Sequence, residues 1–152
     1  MPSRWSGRDT QTLSAVAMSA LLLASAGKHF EDPGFFGPVV PDFLCRDDSG
    51  EQSNGPLAVL SREEWVAVSG LLEAGAAVGL LVPATRRVAA GCVTAMFTLF
   101  IAGHLGALRQ AYGPDGTPGQ RRIHSLRLPL QGPLIAWAWS LTKPVPRKPV
   151  RP

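Results

Sequence analysis

Five side chains in this sequence could move protons or hold a polar ligand from within or beside apolar stretches: His29, Glu73, His104, Arg127 and Gln131. Imidazoles can hydrogen-bond a carbonyl oxygen, a carboxylate can accept or relay a proton, and a guanidinium can offset developing negative charge. Glu73 is the sharpest of the five. It stands near the middle of Trp65–Pro83 (WVAVSGLLEAGAAVGLLVP) and is the sole ionisable group there. A carboxylate in lipid costs about 2.5–3.5 kcal/mol by insertion scales, so Glu73 is expected to face other helices and find partners on them. His29 ends the first apolar stretch, His104 lies late in the third, and Arg127 and Gln131 open the fourth. In an alternating bundle these four lie toward one membrane face, with Glu73 roughly 15 Å below it at about 1.5 Å per residue.

Two readings of this set stand together. In the first, the polar groups bond one another and hold the helices in register, as intramembrane pairs do at about 0.6 kcal/mol on average. In the second, they form a site for a proton-coupled quinone headgroup or similar polar ligand. An iron site from His29, His104 and Glu73 has suitable ligand types, but nothing in the spacing fixes its geometry, and no metal is expected. His124 reads as a solvated or interfacial loop residue.

The elements that must position these groups are apolar clusters in a chain of 152 residues: Leu13–Gly27, Trp65–Pro83, Val88–Leu108 and Leu128–Leu141. About twenty apolar residues span a bilayer core of about 30 Å. The pattern predicts an all-α, up-down four-helix transmembrane bundle, with spans of about 11–30, 63–83, 86–109 and 125–141. Residues 1–141 form one membrane domain, and a long external loop joins helices 1 and 2. The net charge of +4 is carried by basic residues flanking the spans, which fits anionic headgroups and excludes a nucleic-acid patch. Arg4, Arg8, the apolar run and Ala24-Ser25-Ala26 also fit a cleavable signal, which would discard the helix holding His29.

Asp9 or Thr10 is the expected N-cap of the first span, with Trp5 and Phe30 as interfacial anchors. The acidic loop carries an apolar island, Phe35, Phe36, Val39, Val40 and Phe43, expected in the interface or on the bundle's mouth, then a polar excursion over Arg46–Gly55. Ser61 and Glu64 have capping-box spacing. Gly75-x-x-x-Gly79 is expected to form a close packing face, about 200° around the helix from Glu73. Thr85 is the expected cap of the third span. Arg109–Arg127 is expected as a polar loop, Pro129 in the first turn of the fourth helix, and Gly132-Pro133 at a bend. Thr142–Pro152 reads as an extended basic tail. With the N-terminus inside, eight basic residues fall in three short inner segments and seven in two longer outer loops, so both termini are expected in the cytoplasm.

Three stretches carry a family resemblance: Gly27-Lys28-His29-Phe30 with Val40-Pro41-Asp42-Phe43-Leu44; Ser69-Gly70-Leu71-Leu72-Glu73 running to Pro83-Ala84-Thr85-Arg86-Arg87; and Arg127-Leu128-Pro129-Leu130-Gln131 with Leu134-Ile135-Ala136-Trp137. Through them the chain resembles the DoxX-like family of small bacterial four-helix membrane proteins. It departs from that family's Phe-Pro-Gly/Ala-Asn at Ile101-Ala102-Gly103-His104, which keeps a hydrogen-bonding group and adds a titratable one. Some relatives are grouped with quinone-linked oxidoreductase subunits. The resemblance therefore implies an inner-membrane subunit or accessory protein of quinone-linked redox or oxidative-stress metabolism. There are no haem-spaced histidines, no Cys-x-x-Cys and no nucleotide loop, so the expected cofactor is at most a membrane quinone. A redox protein partner and a homo-oligomer fit the same reading. The competing reading is a scaffold recruiting proteins through its loop or tail; a small-solute carrier is a third.

Overall fold

Capping residues set where the helices begin. Ser6 accepts from the Asp9 amide, and Asp9 returns a carboxylate oxygen to the Ser6 amide, so α1 (Gly7–Glu31) starts earlier than the cap expected at Asp9 or Thr10. α2 (Arg62–Leu81) opens on the Ser61–Glu64 capping box, as its spacing predicts. Thr85 occupies the cap position of α3 (Arg86–Ala111), but its hydroxyl turns back to donate to the Gly79 carbonyl at 2.8 Å. It closes α2 instead of capping α3.

α4 (Pro118–Leu141) departs most from expectation. Thr117 and Gln120 form a third capping box, so the predicted loop over 109–127 shrinks to residues 112–117. Pro129 and Pro133 then fall inside the helix, not in its first turn. Each removes one amide from the ladder, leaving the carbonyls of Ser125 and Pro129 without that donor.

The computed structural model describes residues 6–46 and 56–145. Among them the protein is all-α: besides α1–α4 there are three 3₁₀ turns, Pro33–Phe35, Gly37–Val39 and Asp42–Leu44, and no strand. An isolated bridge pairs Cys45 with Leu60. Trp5, the polar excursion over 47–55 and the tail after Val145 lie outside the described residues.

α1 packs chiefly on α2 and α3 on α4, with lesser contacts between α2 and α3 and between α1 and α4. The Trp137 indole donates to Ser14 at 2.7 Å, and Gln11 donates to the Lys143 carbonyl at 2.9 Å. With the contact of Arg86 to the Thr12 hydroxyl at 3.4 Å, these bonds place the start of α1, the α2–α3 turn and the end of α4 at one end of the molecule. The apolar core lies in this half: Met18 and Leu22 of α1, Leu80 of α2, Val93 and Phe97 of α3 and Leu141 of α4. Alanines such as Ala15, Ala77, Ala90 and Ala138 let the backbones approach. Ser19, buried among them, donates to the Ala77 carbonyl at 2.9 Å.

The other half is polar inside. It is covered by the apolar island, whose 3₁₀ turns pack on α1, α2 and α3. Outside, the helices present large apolar side chains: Leu99 is 74% exposed and Val88 72%, while Glu73 is 2% exposed. Three helices, α1, α2 and α3, are long and apolar enough to cross a membrane. The sequence predicted four spans. α4 is not among the three, because Arg121, Arg122, Arg127 and its prolines dilute the apolar character of its 24 residues.

Candidate functional site

His29 lies late in α1, where the helix meets the start of the loop. Its Nδ1 is 2.8 Å from the Ser25 carbonyl, one turn back. A carbonyl only accepts, so Nδ1 carries the hydrogen there and the lone pair sits on Nε2. Across the interface, Glu73 Oε2 is 3.8 Å from the same Nδ1, too long for a hydrogen bond. The approach of α1 depends on Gly70: a Cβ at that position would lie 2.9 Å from the His29 Cβ. Glycine there is required by space.

The remaining face of His29 stacks on Phe36, with centroids 3.6 Å apart and rings inclined by 14°. Phe36 meets Phe35 edge-on. Phe35 in turn lies under the Arg127 guanidinium, 3.8 Å from its centroid, and its carbonyl accepts from Arg127 at 3.4 Å. A cation over an aromatic face is attracted by the ring's quadrupole. The island thus runs from the imidazole on α1 to the guanidinium on α4.

Between α3 and α4, Gln131 Nε2 is 3.0 Å from His104 Nε2. With the amide donating, His104 carries its hydrogen on Nδ1, and that buried N–H has no partner. The Gln131 carbonyl oxygen is also buried without one. Turning the amide round makes His104 the donor, and again leaves one ring nitrogen and one amide atom unsatisfied. Beside this pair Gly103 admits the loop: a Cβ there would stand 2.0 Å from the Val39 carbonyl oxygen. His124 is buried rather than solvated, and its Nδ1 also lacks a partner. It borders a cleft of about 420 Å³ with Pro38, Gln110 and Asp115.

Four of the five predicted residues therefore lie toward one end of the protein with Glu73 deeper, and they form two pairs. His29 meets Glu73 between α1 and α2, His104 meets Gln131 between α3 and α4, and Arg127 reaches between them through Phe35. Among the described residues, no three His, Cys, Asp or Glu side chains converge as a metal would require. His104 is not brought to His29 and Glu73, so that iron geometry is not formed. Of the two predicted packing glycines, only Gly79 meets another helix within the chain. Gly79 meets Ala89, where its own Cβ would be 2.9 Å from the neighbour's, whereas Gly75 has nothing within 4 Å. The close approach of α3 is confined to the turn end of α2.

Sequence reasoning missed Ser25, Phe36, Gly70, Gly103 and His124. Only His124 had a readable signal: Thr117-x-x-Gln120 is a capping box, and it makes His124, Arg127 and Gln131 successive positions on one helical face.

No curated protein and no solved structure matches this chain. The family model described as "Domain of unknown function (DUF8561)" matches residues 18–142, from the middle of α1 to just past the end of α4, and the chain belongs to that family.

Proposed function

We propose that this is an integral membrane protein of the bacterial inner membrane, an up-down four-helix bundle of DoxX-like type. In this reading it serves as a membrane subunit or accessory protein of quinone-linked redox metabolism. The helices expose large apolar side chains such as Leu99 and Val88 while Glu73 is buried, the reverse of what a soluble protein favours, which supports the membrane assignment. α4, too polar to stand alone in lipid by composition, crosses with its polar face turned to α3 and the island.

One observation carries the ligand. Glu73 Oε2, His104 Nδ1 and Gln131 Oε1 are buried without hydrogen-bond partners. Each unsatisfied buried polar group costs about 1–3 kcal/mol, which favours a polar guest that bonds at one or other pair. A quinone/quinol headgroup matches these atoms: a quinone carbonyl oxygen accepts from the His104 Nδ1–H, and a quinol O–H donates to the Gln131 amide oxygen or the Glu73 carboxylate. When bound, it would supply two-electron, two-proton redox chemistry. Glu73 would hold or pass the proton, His104 would fix one oxygen through Nδ1, and Arg127 would provide the standing positive charge.

The test is retention. Full-length protein in mild detergent is expected to carry quinone by native mass spectrometry and by solvent extraction. Glu73→Gln and His104→Ala should each lower retention about tenfold, equal to about 1.4 kcal/mol, with melting temperature unchanged. Absence of quinone from the wild type, with both variants folded and indifferent, rejects this reading and leaves the scaffold.

A further inference from the structure

At the end opposite the polar cluster lies a second cleft, of about 390 Å³, bordered by Arg8, Gln11, Thr12, Arg86, Arg87 and Val145. Three arginines line it and no carboxylate does. Arg86 is the informative one. It is only 7% exposed, yet its recorded bonds go to neutral oxygens: Nε donates to the Leu80 carbonyl at 2.9 Å, and a terminal nitrogen reaches the Thr12 hydroxyl at 3.4 Å. Among the described residues, no carboxylate pairs with it. A guanidinium stays charged at any physiological pH, and a buried charge without a counter-charge is costly.

The chain itself has little to offer as that counter-charge. Of the acidic residues, only Asp9 belongs to the sequence at this end, and its carboxylate is taken by the Ser6 amide and hydroxyl. Arg8, Arg87 and Lys143 accompany Arg86 among the described residues at this end. No described carboxylate there is free to pair with it.

We propose that this cleft binds a phosphate group, held by Arg8, Arg86 and Arg87, with an anionic phospholipid headgroup as its source. Guanidinium forks match phosphate oxygens in pairs, and the Thr12 hydroxyl, accepting from Arg86, retains its own hydrogen to donate. The cleft exceeds a bare ion: a water takes about 30 Å³, so a phosphodiester and a small polar headgroup fit. A choline headgroup brings its own cation toward three arginines and is disfavoured. The site stands apart from the quinone reading, sharing no residue with it.

The experiment uses the full chain in mild detergent, with phosphatidylglycerol, phosphatidylcholine and inorganic phosphate as separate probes, read by native mass spectrometry and thermal shift. Phosphatidylglycerol is expected to bind at least tenfold more tightly than phosphatidylcholine, and the double variant R8Q/R87Q to lose at least tenfold of that affinity. Both substituted residues are exposed, so the variant keeps the fold where Arg86→Gln would strip the Leu80 carbonyl of its donor. Displacement of the lipid by inorganic phosphate identifies the phosphate as the recognised group. Binding of the lipid without such competition shows that the headgroup is needed as well, and also supports the site. Equal retention of the two lipids, unchanged in R8Q/R87Q and with no phosphate effect on melting, overturns the proposal. Quinone retention measured in the same spectra should not change, which separates this outcome from that of the other site.

Discussion

Glu73 is a test of what a buried polar group is for. If it only ties α1 to α2, removing it should loosen the protein. If it is held for a ligand, the oxygen left unpartnered in the folded chain is a standing cost. Glu73→Leu is therefore expected to leave the melting temperature unchanged or raised while quinone retention disappears. A clear fall in melting temperature would return the residue to a structural role. The glycines give a sharper steric contrast. Gly103→Ala drives a methyl into the Val39 carbonyl and should cost about 1–3 kcal/mol, since loop or helix must move. Gly75→Ala meets open space and removes a flexible helical glycine, so it should be neutral or stabilising by about 0.5–1 kcal/mol. Thermal melts of the two variants side by side check both. A destabilised Gly75→Ala with altered oligomeric mass would instead make that face a contact between copies of the chain.

The helices show why some of this was readable and some was not. α2 was legible because three independent cues agree on it: a capping box, an apolar run and a short following turn. The start of α4 was hidden because an apolar run is the strongest cue to a membrane helix, and here the run begins only at Leu128, next to a proline that looks like a first-turn residue. The first ten residues of α4 are polar and helical together, held by Thr117 and by Arg121, whose Nε donates to the Ala111 carbonyl at 3.0 Å. The pairing of site residues was half legible. Periodicity and depth placed four toward one face with Glu73 below them, but which imidazole meets which partner depends on the approach of α1 at Gly70 and on the island's route across the helix ends at Gly103. Because the cap sets the first turn of α4, Thr117→Ala should lower stability by about 1 kcal/mol. His124 lies in the second turn, so its amide should also exchange hydrogen faster in the variant. Unchanged exchange there would mean that packing on α3, not the cap, fixes this end.

Charge is divided along the length of the protein. Among the described residues, the end formed by the start of α1, the α2–α3 turn and the end of α4 has four basic residues, Arg8, Arg86, Arg87 and Lys143, and one acid, Asp9. The other end has seven basic residues and six acids, with Glu73 between the two. A count of basic residues alone favours the wrong end, but the acids leave the larger net positive charge at the first. Positive charge in short segments beside spans resists translocation and stays on the cytoplasmic side. The two turns that join neighbouring helices differ in the same sense: residues 82–85 lead directly into Arg86 and Arg87, whereas residues 112–117 carry Asp115. A fluorescent protein fused after Val145 should therefore glow in intact bacterial cells, while alkaline phosphatase inserted after Gly113 should be active, since that enzyme requires the periplasm. Arg86→Glu with Arg87→Glu should weaken the bias and yield mixed signals from both reporters. An active phosphatase after Val145 with a dark fluorescent fusion there would invert the orientation. The polar cluster would then face the cytoplasm and exchange protons with that compartment.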